Sequence, residues 1–239
     1  MKAAFVAVAF SAFLVSPVMA EEFVTDTFDA MGTPLKITFV GHATLMITYG
    51  DRVIHIDPVN READYTTMPK ADLILITHEH GDHLDPNAIA SIRKPTTVVL
   101  TNESVASKLD ATVIRNGESL SVLGIRVEAV PAYNTTPDRE RFHPKSRDNG
   151  YVLTFADKRV YVAGDTENIP EMADLHDIDI AFLPMNQPYT MTPQQVASAA
   201  RAFKPKILYP YHFGDTDVTE LQRLLGSDRD IEIRVRDMS

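Results

Sequence analysis

Thr77-His78-Glu79-His80-Gly81-Asp82-His83 is the stretch from which the rest of this chain can be read. Three histidines and one aspartate fall between residues 78 and 83, in a protein with only 8 His among 239 residues. Chance would give that fixed pattern on the order of once in a thousand chains. The preceding run, residues 71–77, is almost continuously apolar and of strand length, as expected for a buried strand. The His-rich segment therefore sits at a strand end. A chain leaving the strand there can turn His78 and His80 to one side. Gly81 permits a tight bend, after which Asp82 and His83 can address a second position close by. Imidazole suits zinc and similar ions, and a carboxylate adds negative charge. Glu79 is expected to point away into solvent.

One loop rarely completes a metal site, so further donors are expected at other strand ends. Asp165 follows the strand-like run 159–163 through Gly164, and His212 follows the run 207–211. The plainer readings are a turn-capping aspartate and a structural imidazole. Other strands are expected over 35–40, 43–49, 53–56, 97–100, 119–122, 125–130, 151–155, 178–183 and 231–235. Helices are expected to open at Asp85-Pro86, at Asn102 and at Thr192-Pro193, and to cover 169–175 and 218–225. Residues 21–33 read as a linker. Residues 132–149 read as a long polar loop, a kind that is often functional. The segment 51–57 matches 158–165 with one insertion, and an acidic-aliphatic strand follows each, at 72–76 and 179–183. This predicts two related sheets facing each other, with helices over their outer faces.

His-X-His-X-Asp-His over 78–83, Gly164-Asp165-Thr166 and the strand-end His212 together resemble the metallo-β-lactamase superfamily. Ile37-Thr38-Phe39-Val40-Gly41-His42-Ala43-Thr44, Ile56-Asp57-Pro58 and Met185-Asn186-Gln187-Pro188-Tyr189-Thr190-Met191-Thr192-Pro193 are similar to its branch containing ascorbate-phosphate lactonases. The resemblance covers nearly all of the chain beyond residue 20. It implies an α+β fold, a four-layer αββα sandwich, with a binuclear metal site between the sheets. By that resemblance His78 and His80 would hold the first ion. Asp82, His83 and His212 would hold the second, with Asp165 bridging. The ions implied are zinc, with manganese or iron as alternatives. The family usually adds a third histidine to the first site, but Asn134 stands where it is expected. His143 is taken as that ligand; the other reading is a loop histidine that only touches substrate. His42 is either a substrate contact or outer support, or else a structural residue. Asp57 either orients a ligand from behind or caps a turn. Asn186 and Tyr189 are candidate pocket residues that could equally be structural. His55 reads as a packing residue and His176 as solvated.

The implied chemistry is hydrolysis of a small ester, lactone or phosphoester by metal-activated water. Asp82 is the candidate catalytic residue, orienting the water and returning a proton to the leaving group. No Gly-X-Ser-X-Gly, no cysteine and no His-Glu-X-X-His is present, which excludes the usual serine, thiol and zincin chemistries. The alternatives are an iron-dependent oxidoreductase on the same scaffold and a non-catalytic metal- or ligand-binding protein. The basic segment 139–147 either holds an anionic substrate or pairs with its own acids.

Residues 1–20 read as a secretory signal. Lys2 opens it, residues 3–15 are almost wholly apolar, and Val18 and Ala20 occupy cleavage positions. Cleavage after Ala20 would leave residues 21–239 as one domain, periplasmic or secreted; the other reading is an uncleaved anchor. The absence of cysteine leaves His, carboxylate, carbonyl and water as metal ligands. Without residues 1–20 the chain carries 22 cationic and 33 acidic side chains, a net charge of −11. That charge repels phosphate backbones and anionic lipid. The expected partner is a small-molecule substrate, anionic or not, with no nucleic acid and no stable membrane anchor. A homo-oligomer is left open.

Overall fold

Alternation of buried side chains along short strands builds two sheets, which a computed structural model describes for residues 23–239. The proposed signal, residues 1–20, lies outside the described residues. The first sheet contains β1 (Thr25–Ala30), β2 (Thr33–Gly41), β3 (Thr44–Tyr49), β4 (Arg52–Ile56), β5 (Leu73–Leu75), β6 (Val98–Thr101) and β7 (Thr112–Val113), in chain order. The second contains β8 (Ser119–Val122), β9 (Ile125–Ala132), β10 (Asp148–Phe155), β11 (Lys158–Val162), β12 (Ile180–Pro184), β13 (Ile207–Tyr211) and β14 (Glu232–Ile233). Each sheet is antiparallel through its first four strands and parallel through its last four. The matching segments 51–57 and 158–165 thus hold equivalent places, β4 and β11.

Helices α1 (Pro86–Ile92), α2 (Glu103–Ala106), α3 (Pro193–Phe203) and α4 (Val218–Leu225) cover the outside. Leu73 and Leu75 of β5 enter the core between the sheets. Ile74 and Ile76 face the other way and join Ala88, Ile89 and Ile92 of α1. Burying each such side chain stabilises the fold by about 1.5–3 kcal/mol. Phe39 of β2 meets Tyr209 of β13 at 5.0 Å, and Tyr49 of β3 meets Phe155 of β10 at 5.3 Å, locking sheet to sheet. On the far side α3 and α4 bury Val196, Ala200, Phe203, Leu221 and Leu225. The result is a four-layer αββα sandwich.

Several boundaries differ from the sequence reading; β5 and β14, for example, are shorter than the runs 71–77 and 231–235. Part of the expected linker is β1, which pairs with β2 across a two-residue turn with φ 49° at Met31 and 85° at Gly32. Left-handed turns of this type match strand twist. β7 escapes a periodicity argument because it is two residues long. The polar loop is shorter than 132–149, since β9 runs to Ala132 and β10 starts at Asp148. The expected helix over 169–175 is a 3-10 turn, Pro170–Asp174.

Candidate metal centre

The site forms where β2, β4, β5, β9, β11 and β13 end. The chain leaves the β5 ladder at Thr77. There the backbone N–H donates to Asp57 Oδ1 at 2.8 Å and the hydroxyl donates to Asp57 Oδ2 at 2.6 Å. The loop then coils back, with the N–H groups of His83 and Leu84 donating to the His80 carbonyl at 3.0 and 2.9 Å. Asp165 is presented by Gly164, whose φ is +65°. A Cβ there would stand 2.8 Å from the Asn149 carbonyl and 3.1 Å from Thr77 Cβ, so only glycine fits. His212 follows β13 with φ 47°, and its N–H donates to the His42 carbonyl at 2.9 Å. His143 enters from the β9–β10 loop, with Asp148 Oδ2 3.2 Å from its Nδ1.

These segments bring seven donors together. His78 Nε2 and His80 Nδ1 stand 3.1 Å apart, and His78, His80 and His143 form one compact trio. Asp165 lies between this trio and the remaining donors. Its Oδ2 is 3.4 Å from His143 Nε2 and 3.3 Å from His212 Nε2, and its Oδ1 is 3.3 Å from His83 Nε2. Asp82 Oδ2 lies 3.5 Å from His212 Nε2 and 4.0 Å from His83 Nε2. Donors about 2.1 Å from one ion stand about 3.0–3.4 Å apart at right or tetrahedral angles, so the spacing fits divalent cations. The chemistry fits as well. His83 Nε2, His212 Nε2 and Asp165 Oδ1 are buried without a hydrogen-bond partner, a costly state that a coordinating ion relieves.

Behind the donors, Asp57 Oδ2 sits 2.7 Å from His83 Nδ1 and turns Nε2 toward Asp165. Asp148, itself held by Arg147 at 2.7 Å, plays the same part for His143. Such partners fix ring orientation and tautomer. Burial pushes the His78 imidazole well below its ordinary range, and the charge on His83 adds to this. His80 is lowered chiefly by burial. Both are thereby kept neutral, as ligands must be. Burial works against charge at Asp165 and Asp82, yet the histidines around them hold both carboxyls below the usual range. At His83 burial also opposes charge, but Asp165 and Asp57 override it and raise the imidazole. A proton held there competes with a cation, so acid weakens metal binding.

A cleft of about 300 Å³ opens onto the donors, lined also by Phe142, Asn186 and Tyr189. Phe142 and Tyr189 meet edge to face at 5.0 Å. Asn134 is no donor here: its amide ties the rim together, donating to the carbonyls of Tyr189 at 2.7 Å and Arg139 at 3.2 Å.

The model of the β-lactamase superfamily domain matches residues 36–212, which span every donor named above. The chain belongs to the β-lactamase superfamily. A relative from Pyrococcus horikoshii, named a UPF0173 metal-dependent hydrolase, is 31% identical over 221 residues, covering 83% of this chain and 96% of the relative. A crystal structure from Parabacteroides distasonis, of a protein described as a metal-dependent hydrolase, is 56% identical with a TM-score of 0.90. That match covers 91% of this chain and 100% of the other. The metallo hydrolase Igni18 from Ignicoccus hospitalis shares the fold at 22% identity and a TM-score of 0.71, covering 86% of this chain and 96% of its own.

In this superfamily member the structure brings together every donor named from sequence: His78, His80, Asp82, His83, His143, Asp165 and His212. Asp57 lies behind His83, Asn186 and Tyr189 line the cleft, and His42 lies against Asp82. His55 packs away from the site, donating to the Pro69 carbonyl at 3.0 Å, and His176 is exposed. Glu79 leaves the cluster as expected and, partly exposed, pairs with Lys108 at 2.6 Å. Asp148 and the Thr77 hydroxyl were missed. The only signal for Asp148 was an acid beside Arg147 at a strand start. The basic segment mostly pairs with acids: Arg139 with Glu167, Lys145 with Glu171 and Arg147 with Asp148.

Proposed function

We propose that this metal-dependent hydrolase of the β-lactamase superfamily works with two divalent ions, zinc or manganese, on a small ester, lactone or phosphoester. His78, His80 and His143 would hold one ion and Asp82, His83 and His212 the other, with Asp165 shared. The observation carrying this reading is the convergence of seven donors, five of which line a cleft whose lining holds no serine, threonine or cysteine nucleophile. When bound, such ions act as Lewis acids and ease proton loss from water. Asp82, with its side chain 32% exposed, faces the cleft. It accepts a hydrogen bond from the attacking water and passes the proton to the leaving group. Phe142 and Tyr189, set edge to face, give the substrate an aromatic corner, and the Asn186 amide offers both a donor and an acceptor. Among the described residues Arg141 is the one arginine or lysine of segment 139–147 without an acid partner. It lies 4.8 Å from the Phe142 ring centre, where it would meet an anionic group on the substrate. Residues 1–20 are proposed as a cleaved signal, giving an exported protein whose mature N-terminus, read by mass spectrometry, is Glu21.

The test is turnover of lactone, ester, phosphoester and β-lactam panels by metal-loaded protein. Acid release abolished by a chelator and restored by zinc or manganese supports hydrolysis. Turnover indifferent to chelator rejects it, and bound iron with oxygen consumption favours the oxidoreductase.

A further inference from the structure

The donors fall into three mutually close trios. His78, His80 and His143 form one, and His78, His83 and Asp165 a second. The third is His42, Asp82 and His212. His42 has no part in the binuclear arrangement of seven donors, although its geometry is that of a ligand. His42 Nε2 lies 3.4 Å from Asp82 Oδ2, inside the spacing of the other donors, and its ring centre is 3.8 Å from that of His212. Its other nitrogen, Nδ1, is 3.2 Å from the Ser239 carbonyl. An N–H donated there leaves Nε2 as a free lone pair aimed at Asp82, the arrangement usual for a metal-ligating histidine. The backbone invests in this placement. His42 and His212 both take left-handed conformations, φ 49° and 47°, which residues other than glycine keep only where their surroundings hold them. The His212 N–H to His42 carbonyl bond of 2.9 Å fixes one against the other.

We propose that His42 binds the second ion through Nε2, an inference that rests on the binuclear reading. The position would then draw on His83, Asp165 and His212, which are buried, and on His42 and Asp82, which are partly exposed. Five protein donors exceed what tetrahedral zinc accepts. The second position is therefore built for an ion of higher coordination number, such as manganese, iron or cobalt, and differs in preference from the first.

The test is cobalt(II) titration of metal-stripped wild type, His42→Gly and His42→Asn, followed by visible absorption and by metal content after dialysis. Glycine and asparagine both tolerate the left-handed backbone. A cleft of about 350 Å³ beside His42 gives free imidazole a route to the gap. The exposed His176→Ala serves as control. We expect wild type to bind two equivalents, one with the weak absorption of five- or six-coordinate cobalt. In both variants that equivalent should bind at least about 100-fold more weakly, the upper end for merely disturbing a ligand's support. Its band should intensify as a donor is lost, and imidazole should restore affinity and spectrum in His42→Gly. Second-site affinity within about twofold of wild type, with an unchanged spectrum, overturns the role of His42 and leaves the binuclear reading intact. So does weaker binding that imidazole does not restore. Failure of wild type to bind cobalt at all defeats both.

Discussion

His83 is held at Nδ1 by Asp57, while its Nε2 faces Asp165 Oδ1 at 3.3 Å with no hydrogen-bond partner. Asp57→Asn keeps the shape but removes the charge that orients the ring. It should weaken binding at the second position by about 10–100-fold, read as metal content after dialysis against a buffered ion; full retention would show that Asp57 is only a turn residue. His55 lies outside the centre, and burial holds its imidazole down to about 4 from an ordinary 6.5. The unfolded chain takes up this proton below pH 6.5 and the folded chain only below about 4. Stability is therefore complete above that window and falls as pH drops through it, by up to about 3 kcal/mol. In urea unfolding, the stability of wild type minus that of His55→Leu should fall by that amount between pH 7 and about 4; a pH-independent difference would contradict it. At this scale the ligands were legible because His78, His80 and His83 are crowded into one loop. Asp148 and Thr77 were not, because a supporting partner is recognisable only once the fold puts it behind a ligand.

Short turns with fixed backbone angles carry the donors, the β11–Asp165 turn among them. Gly164→Ala needs a left-handed alanine and drives its Cβ into the Asn149 carbonyl. The backbone cost alone is about 1–2 kcal/mol. The variant should lose at least that in urea unfolding and also lose metal, because Asp165 moves; wild-type stability and occupancy would refute the argument. Helices and strands with strong signals were readable at this scale. Thr192-Pro193 opens α3 with a capping box to Gln195, as its residue types dictate. β1 was not readable: only Ala30 is fully buried along it, so it lacks the apolar face by which strands are recognised. What makes it a strand is its partner β2.

At the level of the whole molecule, one pattern of strand directions appears twice, and the likeness between 51–57 and 158–165 foretold it. Repetition places Asp57 and Asp165 after equivalent strands, one orienting His83 from behind and the other facing it across the centre. The entry of His143 was less legible, because a loop between β9 and β10 has no periodicity to fix where it crosses the rim. The most direct test of the account is an anomalous-scattering map from crystals of the manganese-loaded protein. Two peaks about 3.5–4 Å apart are expected, one within His78, His80 and His143 and the other within Asp82, His83 and His212, with Asp165 touching both. A map with no peak there, or with ions bound only elsewhere on the surface, would contradict it.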